Sequence, residues 1–368
     1  MAEPAPTPAP ALKDGLDQRR FTTLADDLAR LEPSFDAGCF LALALPGLDD
    51  LSLLQRVRRM TESLHATLPA DYPAALAVLR RLAPHTRGGF VSIVPPDFVA
   101  VYGLEHFDLS MAALKFFTPF GSAEFGVRPF LRHDLGRALA IMEQWSRDAD
   151  PAVRRLASEG SRPRLPWSFR LDALVRDPAP AAPILDNLRD DGSLYVRKSV
   201  ANHLNDIGKD HPDWLLERVA AWPRQQPHTA WIVRHALRTL IKQGEPRALA
   251  LIGAGDRAEV TLQTLDVQPR QIQLGERVTL SFALVSTVDR PQRLVVDYIV
   301  HYVKKSGAVS AKVFKLKELT LPARATVPFS RTQQIRDFTT RVHHPGRHDV
   351  EVMVNGTSLG KLYFDLAR

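Results

Sequence analysis

The sequence of 368 residues contains a single cysteine, Cys39. One cysteine excludes an internal disulfide and any zinc site built from several cysteines. Because Cys39 lies in the apolar run CFLALALPG, we expect a buried thiol without a chemical role. The chain also lacks a phosphate-binding GxxxxGK[ST] loop, an HExxH metal motif and a GxGxxG dinucleotide fingerprint. The signatures of several common enzyme classes are therefore absent.

Long hydrophobic runs are absent as well. No stretch reaches the roughly 18 apolar residues that a membrane helix needs, and the N-terminus lacks the basic and apolar segments of a signal peptide. We therefore expect a cytoplasmic protein with no membrane partner. The Pro- and Ala-rich start predicts a flexible tail over residues 1–19.

Positive charge increases along the chain. The net charge of +7 is distributed as −3 over residues 1–146, +4 over 147–255 and +6 over 256–368. Such an excess favours a polyanionic partner such as nucleic acid, although ordinary solubility charge explains it equally well.

The middle of the chain contains an internal repeat. Three segments align without gaps on a V-R-basic core, with Val153, Val196 and Val233 at the matching position. Their spacing of 43 and 37 residues suits pairs of HEAT-like helices. The second segment has apolar residues at steps of four, four and three, which indicates an amphipathic helix. The sequence therefore predicts an α-solenoid over residues 20–254.

Each repeated segment ends at a glycine: Gly160, Gly208 or Gly244. A glycine just past the last periodic residue is typical of a helix C-cap, where the glycine adopts a left-handed backbone conformation. We therefore expect a helix to stop at each of these positions.

The pattern changes to short β-branched and aromatic segments from about residue 258. About seven such segments, separated by turn residues at intervals of roughly ten, predict an immunoglobulin-like or fibronectin-like β-sandwich over residues 258–368. The region lacks the Cys…Trp…Cys core of antibody domains. The predicted fold is thus a multidomain α-then-β chain.

Basic residues recur at the equivalent repeat positions. Equivalent helices of a solenoid present equivalent residues to one face, so a basic stripe is expected that follows a phosphate backbone. The alternative is that the first arginine of each pair contacts a neighbouring aspartate and stacks the repeats. The second residue is the better candidate for function. The stripe comprises Arg154, Arg155, Arg197, Lys198, Arg234 and His235.

Two carboxylates interrupt this basic stripe. Glu159 ends the first repeat helix and Asp206 lies near the end of the second. An acid in a groove that binds phosphates repels the nucleic-acid backbone, so its presence indicates another role, such as stabilising a cation. For Asp206, the alternative is a solvated charge at a helix end. Trp167 follows Pro166 in the segment RPRLPW, where its face could stack on an electron-poor base.

Three histidines, His343, His344 and His348, lie close together near the C-terminus. Without cysteine or an acidic cluster of ligand spacing beside them, we do not expect them to bind a metal.

Three strings carry a resemblance to a known family. SAEFGVRPFL (122–131), RRLASEGSRPRLPW (154–167) and SLYVRKSVANHLNDIGKDHPD (193–213) resemble the AlkC branch of the HEAT-like DNA alkylation-repair glycosylases. The similarity covers roughly residues 20–250, and the C-terminal part resembles the immunoglobulin-like domain of a subset of AlkC proteins. The resemblance implies hydrolysis of the N-glycosidic bond of 3-methyladenine and 3-methylcytosine in duplex DNA without base flipping. It implies no metal, no cofactor and no obligate protein partner.

The resemblance also assigns site residues. Glu159 and Asp206 match the catalytic carboxylates, Glu124 matches a further active-site acid, and Trp167 matches the active-site aromatic. The family normally reads EFAVRPF where this chain reads EFGVRPF. An N3-methylated base is cationic and leaves readily, so a carboxylate near C1′ can stabilise the sugar cation and orient water. The division of these roles between Glu159 and Asp206 stays open.

The remaining basic residues are expected to contact DNA. Arg162 and Arg164 are expected to hold phosphates beside the lesion, and the sandwich to act as a DNA clamp through Lys304 and Lys305 at a hairpin turn, unless these two lysines are merely solvated. The expected DNA contacts are Arg155, Arg162, Arg164, Arg197, Lys198, Arg234, Lys304 and Lys305. A non-catalytic repeat scaffold or damaged-DNA sensor is the alternative function; peptide recognition is weakened by the basic stripe.

Overall fold

A computed structural model describes residues 11–338 and 341–368. A helical region precedes a β-sheet region, which confirms the predicted α-then-β fold class. None of the helices in the described ranges is both long and apolar enough to span a bilayer. The α-helices are α1 (Gln18–Leu31), α2 (Ala37–Ala44), α3 (Leu53–Thr67), α4 (Tyr72–Leu82), α5 (Val94–Tyr102), α6 (Phe107–Phe117), α7 (Arg128–His133), α8 (Leu135–Trp145), α9 (Pro151–Gly160), α10 (Asp172–Arg176), α11 (Ala182–Asn187), α12 (Leu194–Ile207), α13 (Pro212–Ala220), α14 (Pro227–Ala236), α15 (Arg238–Lys242) and α16 (Pro246–Leu251).

The chain forms two compact units whose boundary differs from the predicted one. The first unit contains the described residues up to His211 and the segment Pro223–Ala236; the second contains Pro212–Trp222 and everything from Leu237 onward. Helices α13, α15 and α16 therefore group with the sandwich. Close packing within the second unit explains this: a Cβ added to Gly244 would lie 3.0 Å from the Cα of Gly356.

The predicted flexible tail is wrong for residues 11–19, while residues 1–10 lie outside the described ranges. Leu12–Leu16 forms a 3-10 helix, and Asp17 caps α1 by accepting a hydrogen bond from the Arg20 amide. Leu16 is fully buried. The buried Arg56 also donates to the carbonyls of Lys13 and Leu16, so this segment is anchored to the folded helical unit.

The repeated helices pack in series, α9 against α12 and α12 against α14. Their first arginines make equivalent contacts. Arg154 donates to the carbonyls of Asp148 and Ala149, and Arg197 donates to those of Asp191 and Gly192, in each case six and five residues earlier. Arg154 also forms an ion pair with Asp191 at 2.7 Å. These contacts favour the repeat-stacking interpretation for Arg154 and Arg197.

A helix ends at or within two residues of each of the three glycines, as predicted, but only Gly244 has a left-handed φ, of +75°. Gly208 has a right-handed φ of −63°, and Gly160 is the last residue of α9. Packing accounts for Gly160, because a Cβ at this position would lie 2.4 Å from Cγ1 of Val127. The glycine therefore permits close contact with α7 and its preceding turn.

All seven predicted strands are present, and the described ranges contain an eighth, the three-residue β2. One sheet has the order β1-β3-β6 and the other β2-β8-β7-β4-β5. Alternating burial along β3 directs every second side chain into the core between the sheets. The strands are β1 (Val260–Gln268), β2 (Gln271–Gln273), β3 (Arg277–Ser286), β4 (Gln292–Val303), β5 (Val309–Leu321), β6 (Thr326–Gln334), β7 (Gly346–Val354) and β8 (Thr357–Ala367).

The expectation of a buried thiol at Cys39 is wrong, since Cys39 is exposed. Helix α2 directs Phe40 and Ala44, which are four residues apart, into the core. Cys39 precedes Phe40 by one residue and is therefore rotated by about 100° from that face.

Candidate active site

Two neighbouring helices bring Glu159 and Asp206 together. Glu159 is the penultimate residue of α9 and Asp206 is the penultimate residue of α12, and these helices pack side by side. Their side chains are only 8% and 4% exposed. The predicted pairing of the acids in one cleft thus has a simple geometric cause in the repeat.

A single guanidinium bridges the two acids. Arg162 Nη1 lies 2.6 Å from Oε1 of Glu159, and Nη2 lies 2.7 Å from Oδ2 of Asp206. Arg162 Nε donates to the same Asp206 oxygen at 2.8 Å. Charge-assisted contacts of this kind fix the orientation of both carboxylates. We refer to Glu159, Arg162 and Asp206 as the acid cluster.

The other oxygens of the acid cluster are also bonded. The Ser199 hydroxyl donates to Oε2 of Glu159 at 2.6 Å, and Lys209 Nζ lies 2.9 Å from Oδ1 of Asp206. Ser199, His203 and Asp206 lie on one face of α12, at steps of four and three residues. This face carries polar contacts from α12 to the end of α9.

Glu124 lies beside the acid cluster through Arg155. Arg155 Nη1 is 2.9 Å from Glu124 Oε2, and its Nη2 is 3.6 Å from Glu159 Oε1. Arg155 also donates to the Ser122 hydroxyl, and its guanidinium lies 5.0 Å from the ring centroid of Tyr195. Glu124 and Glu159 therefore share one cation, which keeps the two acids in a common polar network.

Trp167 is held in an unusual backbone conformation and remains open to solvent. Its φ is +66°, in the left-handed region that bulky residues avoid, and the residue is 60% exposed. The indole is 6.5 Å from Phe90 between ring centroids. Together with Ser122, Phe125 and Phe169 it lines a cavity of about 250 Å³. Ser122 connects this cavity to the Arg155 network.

Two buried basic residues contact the backbone next to the acid cluster. Arg128 is fully buried and donates to backbone carbonyls of the segment that follows α9. His203 is also fully buried, and its Nδ1 lies 3.0 Å from the Ser158 carbonyl. Burial, together with the positive charge of Arg162, lowers the pKa of His203 to about 3, so the imidazole is neutral at physiological pH.

The structure places several predicted phosphate ligands in internal contacts. Arg162 is buried between the two acids, Arg155 is paired with Glu124, and Arg197 bonds backbone carbonyls. These placements favour positioning roles for the three arginines over the predicted phosphate contacts, because each guanidinium is engaged by acceptors within the protein. Arg164 is paired with Asp210 at 2.8 Å but both side chains are about a quarter exposed, at 26% and 28%. Lys198 is exposed.

The sandwich presents its own basic cluster. Lys304 and Lys305 are exposed in the turn between β4 and β5, where the Lys304 amide donates to the Ala308 carbonyl at 2.8 Å. Lys304, Lys312 and Arg341 line a pocket of about 300 Å³, and the described residues around it include no carboxylate. Burial, followed by the charges of Arg341 and Lys242, lowers the pKa of Lys312. Three cations without a carboxylate among the described lining residues give this pocket a positive potential.

The three histidines of the C-terminal region are placed by the sandwich. His343 and His348 are buried, and His348 Nε2 lies 3.0 Å from the His344 carbonyl. Within residues 11–338 and 341–368, no group of three or more His, Cys, Asp or Glu side chains has the arrangement of a metal site.

Sequence reasoning missed Ser199, Lys209, Tyr195 and Arg128. A signal for Ser199 existed, because Ser199, His203 and Asp206 each precede a buried apolar residue of the α12 stripe. Arg128 gave no such signal. Its role depends on carbonyls of residues more than thirty positions later in the chain.

Comparison with known proteins agrees with this architecture. Residues 117–240 match the family described as DNA alkylation repair enzyme, and residues 261–368 match the C-terminal Ig-like domain family of YhaZ. YhaZ of Bacillus subtilis (strain 168), an uncharacterized protein, is 42% identical over 356 residues, which cover 96% of this chain and 99% of YhaZ.

A solved structure is more similar still. Pseudomonas fluorescens alkylpurine DNA glycosylase AlkC, bound to DNA containing an abasic site analog, is 56% identical. The match covers 98% of this chain and 100% of that one, with a TM-score of 0.95. The chain therefore belongs to the AlkC family of DNA alkylation repair enzymes and carries the C-terminal immunoglobulin-like domain that YhaZ shares.

Proposed function

We propose that the protein is a monofunctional DNA glycosylase that hydrolyses the N-glycosidic bond of N3-alkylated bases in duplex DNA. The observation that carries this proposal is the acid cluster, in which one guanidinium holds two buried carboxylates at the ends of adjacent helices. The similarity to a glycosylase that was solved with abasic DNA supports it. We place the enzyme on chromosomal DNA in the bacterial cytosol, with 3-methyladenine and 3-methylcytosine as substrates.

The chemistry follows from the charge of the lesion. An N3-alkylated base is cationic and leaves with the electrons of the C1′–N bond, without a general acid. A sugar cation remains, which Glu159 and Asp206 stabilise. One of these two carboxylates orients the water that attacks C1′, and the same carboxylate accepts the proton that the water loses. Because Arg162 and Ser199 already hold these carboxylates, little reorganisation accompanies the reaction. Neither a metal nor a cofactor takes part.

Lesion recognition is assigned to Trp167 and Glu124. Trp167 projects an exposed indole from a fixed backbone, so it can contact an electron-poor base by stacking. Glu124 places a carboxylate near the same cavity, where its ion pair with Arg155 holds it. We propose that the lesion stays within the duplex rather than being extruded.

Cations at the surface supply the phosphate contacts. In the helical unit these are the exposed Lys198 and the partly exposed Arg164, and in the sandwich they are the exposed Lys304 and Lys305. Arg234, a predicted phosphate contact, is only partly exposed and its Nε and Nη2 are buried, so it is not among them. Each phosphate contact releases counterions, so binding should weaken as salt increases. We propose on this basis that the sandwich contributes to DNA binding as a clamp.

Single-turnover excision on a duplex with one 3-methylcytosine tests the proposal, with abasic product revealed by alkaline cleavage. Asp206→Asn and Glu159→Gln should each lower the rate by about 100-fold or more, the usual effect of removing a preorganised electrostatic stabiliser. Both should still bind the duplex. Asp210→Asn is the matched control, because Asp210 is four residues further along and partly exposed; its rate should stay near that of the wild type.

The outcomes separate the two candidate functions. Excision by Asp206→Asn at nearly the wild-type rate would contradict the assigned role of the acid cluster. Wild-type protein that makes no abasic product, yet binds the lesion duplex tightly and in a salt-sensitive way, would identify a damaged-DNA sensor.

A further inference from the structure

We propose that Arg128 is a positioning residue whose guanidinium fixes the segment from Gly160 to Phe169, and thereby the placement of both Arg162 and Trp167. We refer to residues 160–169 as the site loop. The inference rests on the proposed function for its consequence on excision, although its structural part can be tested without activity.

Arg128 binds both ends of the site loop. It begins α7, and its side chain is fully buried. Nη1 donates to the carbonyls of Gly160 at 2.9 Å and Arg162 at 2.8 Å, while Nη2 donates to the carbonyl of Phe169 at 2.5 Å. One rigid, planar group therefore sets the separation between the start and the end of the loop.

The charge of Arg128 suits these acceptors. The Gly160 carbonyl belongs to the last turn of α9, where carbonyls lack helical partners and a cation is favourable. Burial, together with the positive charge of Arg162, lowers the pKa of Arg128 to about 10, which leaves the guanidinium protonated at neutral pH. A buried cation is tolerated only when it is hydrogen-bonded, so the loop and Arg128 depend on each other.

At the first end of the loop, Arg128 acts on the acid cluster. Arg162 offers its carbonyl to Arg128 and its own guanidinium to Glu159 and Asp206. The position of the Arg162 backbone therefore determines where the bridge between the two acids lies.

At the other end, Arg128 acts on Trp167. The left-handed φ of Trp167 is strained for a bulky residue and persists only if the surroundings impose it. The indole is 60% exposed and its ring centroid lies 6.5 Å from that of Phe90, so its position depends strongly on the backbone that carries it. Phe169 follows Trp167 by two residues, and its carbonyl is bound by Arg128. The centroid of its ring lies 5.4 Å from the guanidinium of Arg128 and 4.5 Å from that of Arg132.

The test compares Arg128→Lys with Arg56→Lys. Arg56 is the matched control: it is also buried and donates to three backbone carbonyls, those of Lys13, Leu16 and Leu51, but none of these belongs to the site loop. Lysine keeps the charge but cannot present a planar fork to separate carbonyls. We expect Arg128→Lys to lower the single-turnover rate at saturating enzyme at least 10-fold, with DNA affinity within threefold of wild type. Arg56→Lys should lower thermal stability but leave the rate unchanged.

A second readout is independent of catalysis. The protein has five tryptophans, so labelling with 5-fluorotryptophan gives a countable ¹⁹F spectrum in which loss of a peak in Trp167→Phe assigns Trp167. Arg128→Lys should shift or broaden that peak and leave the other four in place. Arg128→Gln, which removes the charge and keeps an amide donor, gives the same readout if the lysine variant does not fold.

The two hypotheses fail in distinguishable ways. A Trp167 peak that is unchanged in a folded Arg128 variant overturns the positioning role, whatever the activity. An equal loss of rate in Arg56→Lys also overturns it. Wild-type protein without excision contradicts the proposed function, and a shifted Trp167 peak would then still support the positioning role.

Discussion

Replacing Arg162 with methionine removes the cation that bridges the acid cluster while preserving much of the side-chain volume. Glu159 and Asp206 would remain buried, at 8% and 4% exposure, with fewer partners. Removing one partner of a buried ion pair typically costs about 3 to 5 kcal/mol. Lys209 still contacts Asp206, and Ser199 still contacts Glu159, so we expect the lower end of this range. A loss of about 3 kcal/mol corresponds to a decrease in Tm of about 6 to 12 °C for a unit of this size.

Arg164→Met provides the matched control. Arg164 is two residues further along the same loop and also pairs with an aspartate, but its partner Asp210 is 28% exposed. Partly exposed ion pairs contribute at most about 1 kcal/mol, so the control should lose little stability. Thermal unfolding followed by circular dichroism at the helical band measures both variants. Addition of Glu159→Gln to Arg162→Met should restore part of the lost stability, because it removes the charge of a buried acid that has lost its guanidinium partner.

Equal Tm changes in Arg162→Met and Arg164→Met would refute this reasoning. So would a double variant with Glu159→Gln that is less stable than Arg162→Met alone. Either result would mean that the carboxylates do not depend on the bridge for their burial.

Two further predictions address the repeat and the sandwich. Lys198→Ala should reduce the slope of log affinity against log salt by about 1 with unchanged Tm, whereas Arg197→Ala should lower Tm and leave the slope unchanged; the opposite pattern would contradict the assigned roles. Burial raises the pKa of Asp297 to about 6, above its unfolded value of about 3.9. The free energy of unfolding therefore decreases, by up to about 3 kcal/mol, as the pH rises from about 3.9 to about 6. Asp297→Asn should therefore raise Tm at pH 8 and hardly change it at pH 4, and an equal gain at both pH values would be inconsistent with this titration.

Periodic features could be predicted from the sequence because the polarity of each residue indicates whether its side chain is buried or exposed. The strands of the sandwich and the matching valines of the repeats follow from alternation and helical spacing, and these predictions are confirmed. Glu159 and Asp206 could be placed together because each lies at the C-terminal end of its helix and these helices pack side by side, although the two acids are not at equivalent repeat positions. The glycines were harder to interpret. Gly160 is required by contact with Val127, a residue of a different element.

The partners of the arginines could not be predicted in the same way. Arg162 and Arg164 are two residues apart and look equivalent in the sequence, yet one is buried between two acids and the other lies near the surface. The difference arises from how the site loop turns, and that turn depends on long-range hydrogen bonds from Arg128. Such contacts have no local signature, so a basic motif alone cannot separate a phosphate ligand from an internal ion pair.

The most direct test of the central claim is the identity of the products. Wild-type protein is incubated with a duplex carrying one N3-methylcytosine, the released small molecules are analysed by mass spectrometry, and the DNA is examined before and after alkali. Hydrolysis by a monofunctional glycosylase predicts one free methylated base per abasic site, with strand breaks only after alkali. Intact lesion DNA with no free base, or strand breaks before alkali, would contradict it.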